Sequence, residues 1–412
     1  MGQENQSYKW VMIIIACFFA IIDMSTLSIF SMTGGEITKQ LGVTAEYANS
    51  FGPWGCLGLF GIWSVGQVVG FLLGGPLYDK IGFRKTLLIA GICLVVPQFA
   101  IPYISSFWMV WFLRLVQGLC NVAFVPLVVT SIGWFGAEKS TLAMGFLIGC
   151  LLAGGTIGNF LASLAPYPGN YYLVGVLCVI SIVLALILGK ESPTAVGSTM
   201  VEAEGKAAQE ETVGLGTVLA LKETWILALT LLCGTLMLYP FFAGFGQFAL
   251  ENGVTKSQLA GGSLALTILF VVCAIISGAV TTSMSKNMNP LKAQSAVVMT
   301  GFLIMIVGSV LMATLGTRGG FLNWFISCLV IFPLGMGVMM PTFNVMPPLV
   351  FNPKVAGTGT GVVTFVGNIV NWATPGIWLG LVVTIGWKGY WFLITPFMII
   401  GFFLVYNIYR RA

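Results

Sequence analysis

The chain is 412 residues long, 58% hydrophobic and only 8% charged, where soluble domains carry about 25% charged residues. So few charges cannot clothe a water-facing surface, so the lipid bilayer is the expected solvent, and the net charge of +5 comes without a basic patch that would point to nucleic acid. There is no histidine, and the nine cysteines sit in apolar runs with no CxxC. They read as small buried hydrophobes, and neither a metal nor a cofactor is expected.

A membrane-spanning helix needs about 20 mostly apolar residues. The sparse charges cut the chain into twelve such runs: 10–32, 54–77, 85–104, 107–133, 140–164 and 171–189, then 225–250, 259–283, 291–315, 322–345, 357–382 and 388–409. Lys9 and the apolar run from Trp10 have the outline of a signal peptide, but Asp23 interrupts the run and no small-x-small cleavage site follows. The segment is expected to remain as the first helix. Pro166, Pro168, Gly169 and Asn170 supply the turn between the fifth and sixth helices. The predicted class is an all-α membrane protein of twelve transmembrane helices in two six-helix halves, 1–189 and 224–412. Between them lies a polar cytoplasmic linker, 190–223, holding Glu202, Glu204, Glu210 and Glu211. Duplication of this kind is common in secondary carriers.

With both termini in the cytoplasm, thirteen of the 18 lysines and arginines fall inside, four outside and one, Arg114, within the membrane. That bias follows the positive-inside rule and suits an even number of spans. The expected location is a prokaryotic inner membrane.

Asp23 and Arg114 are the two fully charged residues well inside predicted helices. Burying either costs a few kcal/mol on insertion scales, so such residues face the bundle interior and find partners. At about 1.5 Å rise per residue, each lies roughly 20 Å above the inner face of a core about 30 Å thick. They are expected to meet if helices one and four are neighbours, as a static ion pair or as a switch in which Asp23 takes a proton or Arg114 turns to a substrate. Gln117 and Asn121 follow Arg114 at i+3 and i+7, a polar stripe expected to face a cavity or a partner helix. In the second half the mid-depth polar candidates are Tyr239, Asn368 and Asn371, with Trp372 beside the last. These would serve as ligand contacts or as interhelical hydrogen bonds. Glycines recur at short spacing in helix two (Gly66, Gly70, Gly74), helix five (Gly145, Gly149, Gly154, Gly158) and helix eleven (Gly357, Gly359, Gly361, Gly367). They allow close helix approach and are candidates for sliding contacts between the halves.

The loop after helix two reads Gly75-Pro-Leu-Tyr-Asp79-Lys80-Ile-Gly82-Phe-Arg84-Lys85. It resembles the signature loop of the major facilitator superfamily (MFS). In helix four, Arg114-Leu-Val-Gln117-Gly118 is similar to the arginine-x-x-glutamine-glycine pattern of proton-coupled members of that family. Gly145, Gly154 and Gly158 have the antiporter spacing, but Asn159 stands where proline is expected, and Ala162 and Ser163 where glycines are. The equivalent loop between helices eight and nine has Gly278 and Lys286 but no aspartate. The resemblance implies a cavity between the halves, lined chiefly by helices one, four, seven and ten, with alternating access by rocking. It also implies a usually monomeric protein. Gating would rest on Gly75, Asp79, Gly82, Arg84 and Lys85, with Asp79 pairing across the cytoplasmic face or capping nearby helix ends, and on Gly145, Gly154 and Gly158.

The expected activity is that of a secondary carrier for a small organic solute, coupled to protons or to a counter-anion. An organic anion such as a carboxylate is the first candidate, because an arginine is the strongest fixed recognition group available. Efflux of lipophilic or cationic drugs, with Asp23 as the recognition charge, is the alternative. A membrane sensor that binds without transporting comes from another class. An enzyme is not expected, because the chain offers no histidine and one intramembrane acid.

Overall fold

The computed structural model describes residues 3–52, 57–59, 61–191, 215–371 and 374–412, without the side chains of 3–6, 137–138, 238–246, 353 and 371–380. Twelve long helices run through these residues. The first is α1, Gln3–Met32. Next, α2 (62–81) and α3 (83–100) form one hydrogen-bonded run broken at Gly82. They are followed by α4, Phe107–Gly136, α5, Lys139–Leu164, and α6, Gly169–Leu188. In the second half come α7, Lys222–Glu251, α8, Lys256–Met284, and α9, Pro290–Thr314. The remaining three are α10, Phe321–Val350, α11, which begins as Ala356–Gly367 and continues through 374–385, and α12, 387–411.

The sharp reversals at Gly82, Gly136 and Gly386 have one conformation, φ 67–78° with ψ 165–179°. That region is open only to glycine, which lets one helix end and the next begin with no loop between them. Pro333 lacks the N–H that would close the ladder in α10. The helix widens there into a π-type turn over Val330–Met336.

The structure differs from the sequence expectation at several ends. Helix α1 begins about two turns earlier than its apolar run, and the described part of α2 begins at Ile62 rather than at 54. Two short helices, Gly34–Gln40 and Ala45–Ala48, lie in the connection before it. Residues 192–214 of the predicted linker lie outside the described residues. The linker's last part is a short helix, Leu215–Ala220, that buries Val218. Thr224 Oγ1 donates to the Val218 carbonyl at 2.6 Å, which ties this helix to α7.

The buried apolar residues fall into two cores. One draws on α1 and α3–α6 with Val345 and Leu349 from α10. The other draws on α7–α12 with Val218 and with Ile148 from α5. The amino end of α1, the Gly82 reversal and the end of α6 share one face of the molecule. There Arg84 Nε donates to the Gly189 carbonyl and Phe83 N to Glu191 Oε1. This is called the loop face below, and the opposite one the far face.

Candidate functional site

Between the two cores, at mid-depth, lies a cavity of about 80 Å³. Its wall comes from both halves: Met24 of α1, Gln67 and Phe71 of α2, Asn121 and Phe124 of α4, and Ile148, Leu151 and Leu152 of α5. Leu231 of α7, Met340 and Asn344 of α10, and Thr364 and Asn368 of α11 complete it. Five amide or hydroxyl groups therefore ring an otherwise apolar space, and none of its lining residues is charged. The amides are fixed by their own helices. Asn368 Nδ2 donates to the Thr364 carbonyl at 2.7 Å, and Asn344 Nδ2 to the Met340 carbonyl at 2.8 Å. A second cavity of about 340 Å³ shares Met24 and Leu152 and extends toward the far face between α1, α5, α8 and α10. Ser28, Ser31, Thr156, Asn159, Ser263 and Thr267 supply its polar groups.

Asp23 is buried behind this cavity. It borders a void of about 10 Å³ whose wall includes Asn121, Phe124 and Leu151, residues that also face the central cavity. Its carboxylate accepts a hydrogen bond from Cys120 Sγ at 2.9 Å. The expected meeting of Asp23 with Arg114 does not occur. Arg114 is fully buried inside the first bundle, with its guanidinium 3.7 Å from the ring centre of Phe30 and hydrogen-bonded to Gln117 Oε1. Gln117 Nε2 passes the chain to Gln98 Oε1 at 3.0 Å, and Gln98 Nε2 to the Tyr171 carbonyl at 3.3 Å. Arg114 Nε has no acceptor. Depth explains the separation. Cys120, level with Asp23, is six residues from Arg114, about 9 Å of helix, and Phe30 is seven residues from Asp23, about 10 Å. Counting residues from charge-marked ends put the two at one level, whereas Arg114 lies nearer the far face, level with Phe30.

The polar stripe on α4 also divides. Leu119–Ala123 is a 3₁₀ stretch, with about 120° per residue in place of about 100°. The two such steps before Asn121 add roughly 40° of rotation. Gln117 consequently stays with Arg114 in the bundle interior, Cys120 turns to Asp23, and Asn121 reaches the cavity. Of the second-half candidates, Asn368 lines the cavity, the side chains of Tyr239 and Asn371 lie outside the described residues, and so does Trp372. Gln67, Asn344 and Thr364 were not among the candidates. They could have been found by applying to every amide and hydroxyl in an apolar span the rule that polar residues avoid lipid.

On the loop face the halves are in close contact. Asp79 Oδ2 accepts from Thr358 N at 2.8 Å and from Thr358 Oγ1 at 2.7 Å. These groups lie in the first turn of α11, so a carboxylate from one half caps a helix N-terminus of the other, where negative charge is favoured. A Cβ on Gly75 would run into the Gly357 carbonyl. A Cβ on Gly145 would come within 2.6 Å of the Ala274 carbonyl, and one on Gly278 within 2.5 Å of that of Thr141. These glycines hold α2 against α11 and α5 against α8 across the divide. Gly154 and Gly158 do not. They pack on Ile21 and Ser25 of α1, within the first half, as do Gly66, Gly70 and Gly74 on α4. Gly82 supplies the reversal, Arg84 binds the end of α6, and Lys85 is exposed. Asp79 forms no ion pair with Arg84 or Lys85. Among the described residues one ion pair is present, Arg411 with Glu223 at 3.5 Å, both half-exposed.

The sequence profile of the Major Facilitator Superfamily matches residues 13–375, and the chain belongs to that family of transporters. It is 21% identical over 381 residues to the class D tetracycline resistance protein of Salmonella ordonez, covering 88% of this chain and 87% of the relative. The class B tetracycline resistance protein of Escherichia coli matches at 21% over 187 residues, 43% of this chain and 44% of that protein. Among solved structures, the human organic anion transporter MFSD10 (TETRAN) superposes with a TM-score of 0.70 at 15% identity, covering 96% of this chain and 99% of its own. The proton:xylose symporter XylE, bound to 6-bromo-6-deoxy-D-glucose, superposes with a TM-score of 0.72 at 12% identity, covering 98% and 96%. These likenesses establish the twelve-helix fold of a multi-pass membrane transporter that handles small molecules.

Proposed function

We propose that the protein is a proton-coupled carrier of a small, largely apolar organic solute bearing hydrogen-bonding groups, and that Asp23 carries the proton. The observation behind this reading is the position of Asp23 against the cavity wall. The central cavity offers amides and hydroxyls but no charge to its solute, while the nearest carboxylate stands just behind Asn121 and Phe124. A solute recognised through Gln67, Asn121, Asn344, Thr364 and Asn368 presses on the same wall that encloses Asp23. A proton on Asp23 removes the cost of a buried charge, so loading and unloading it can be tied to movement of that wall. The likeness to tetracycline resistance proteins favours efflux, as in the sequence-based alternative of lipophilic or cationic drugs, but with Asp23 as proton carrier rather than recognition charge.

The loop face is assigned to the cytoplasm, because Lys9, Lys80, Arg84, Lys85, Lys190, Arg410 and Arg411 gather at that end of the helices. The arrangement described is then closed inside, with its larger cavity reaching toward the outside. The two halves, 1–189 and 224–412, are the bodies that rock. The direct test is uptake into everted vesicles or proteoliposomes driven by a pH gradient, with tetracycline, a lipophilic cation and a monocarboxylate as probes. Gradient-driven movement of one of them by the parent and none by Asp23→Asn supports the reading. Equal movement by both overturns it.

An organic anion remains the second reading, favoured by one observation: Arg114 Nε is buried with no acceptor. On that reading a carboxylated solute binds the parent and not Arg114→Ala. On the first reading Arg114→Ala lowers stability but keeps solute affinity within a few-fold.

A further inference from the structure

Asp23 and Asp79 are met by different kinds of donor. The Asp79 carboxylate accepts a backbone N–H and a hydroxyl, both good donors. The Asp23 carboxylate, buried more deeply, accepts from the Cys120 thiol at 2.9 Å, and S–H is a weak donor. On its other side the Cys120 sulfur accepts from Asn121 Nδ2 at 3.5 Å, and Asn121 lines the solute cavity. The sulfur is therefore the link between the cavity wall and the acid.

Around the pair, α3 contributes Cys93 and α6 contributes Cys178 as titratable groups. From helix α5, Leu147 and Leu151 line the void beside Asp23, and Arg114, six residues before Cys120 on α4, makes no ion pair with Asp23. Among the described residues no three acidic or thiol groups are close enough to hold a metal ion. Asp23 makes no ion pair among the described residues.

We infer that Cys120 is the positioning residue that sets the proton affinity of Asp23, keeping it higher than a hydroxyl in the same place would. This rests on the reading of Asp23 as the proton carrier. A hydrogen bond to the charged form of an acid favours that form, so the strength of the donor at position 120 tunes the pH at which Asp23 takes its proton. Serine, a stronger donor, draws the equilibrium toward the carboxylate. Alanine, with no donor, draws it toward the acid.

The test uses the full-length protein purified in detergent and dicyclohexylcarbodiimide, a membrane-soluble reagent for protonated carboxyls, with modification of the Asp23 peptide read by mass spectrometry against pH. Relative to the parent, the labelling midpoint is expected to fall by about half a pH unit or more in Cys120→Ser and to rise by a similar amount in Cys120→Ala. A purely structural role for Cys120 would lower thermal stability without moving the midpoints in opposite directions. Coincident midpoints, midpoints displaced in the same direction, or no pH dependence in any of the three overturn the inference. If Cys120→Ala fails to fold, Cys120→Ser carries the test alone, and an unmoved midpoint there is sufficient to overturn it. Because labelling needs no solute, its outcome is separate from gradient-driven transport. Opposite shifts with uptake that does not depend on Asp23 would sink the proposed function and leave the thiol's effect standing.

Discussion

Two aspartates, Asp79 and Asp23, are met by different donors. Asp79 sits where the two halves touch, and it is met by the first turn of α11 with a backbone N–H and a hydroxyl from Thr358. Those donors come from the other half, so on the proposed rocking motion they leave Asp79 when the loop face opens. Asp23 sits inside one half, away from the divide, and is met by one thiol. A thiol is a weak donor, so the Asp23 carboxylate receives weaker hydrogen bonding than that of Asp79. The difference teaches that the position of a carboxylate in a membrane bundle does not define its role. What counts is whether strong donors come with it and whether those donors leave when the halves move.

The comparison can be broken most forcibly at Asp23. With Asp23→Asn, pH-gradient-driven solute movement is expected to fall to the level of protein-free vesicles, while solute binding, read by thermal stabilisation, persists. Loss of both would place Asp23 in direct solute contact instead. Next in size is Gly75→Val. Its side chain meets the Gly357 carbonyl, and overpacking of this kind costs about 1–3 kcal/mol, enough to shift the balance between open and closed loop faces by roughly five- to 150-fold. Cysteine-reactive probes introduced on the loop face should report greater access, and transport should fall. Asp79→Asn removes a charge-assisted bond at a helix end and is expected to speed hydrogen exchange of the Thr358 amide by about tenfold, a loss near 1.4 kcal/mol. It should leave the pH midpoint of Asp23 labelling where it was, because the two carboxylates act in different regions. The smallest effect is expected at the cavity rim. Asn368→Ala should weaken solute binding several-fold, about 1 kcal/mol, without altering proton dependence.

Much of this was legible in the sequence. Twelve apolar runs, the doubled six-helix plan and the signature loop all follow from where charges and glycines fall, because a bilayer tolerates few ways of satisfying a backbone. Asp23 and Arg114 were conspicuous for the same reason. Their separation was not legible, because depth along a helix depends on where the helix truly begins and on its local pitch. A charged flank does not mark where a helix ends, as the extra two turns of α1 show, so counts from such flanks carry an error as large as the roughly 10 Å between the pair. Cys120 carried no signal, since a cysteine in an apolar run reads as a small hydrophobe until a carboxylate is found 2.9 Å away. The glycines were recognisable as close contacts, but which ones bridge the halves is a property of the packed structure. Gly75, Gly145, Gly278 and Gly357 face across the divide, whereas Gly154 and Gly158 face α1. Gln67 and Asn344 were visible as lone amides in apolar spans and required only that the lipid-avoidance rule be applied to neutral groups as well as charged ones.

The central claim is that a proton on Asp23 is exchanged when solute enters the cavity. It is tested most directly by measuring, with a pH-sensitive dye in weakly buffered detergent solution, the protons released or taken up when tetracycline, or whichever probe compound proves to stabilise the protein, is added to the parent and to Asp23→Asn. The account predicts a proton change in proportion to bound solute for the parent and none for the variant, with binding retained in both. An equal proton change in the two proteins, or binding to the parent with no proton change at any pH, would contradict it.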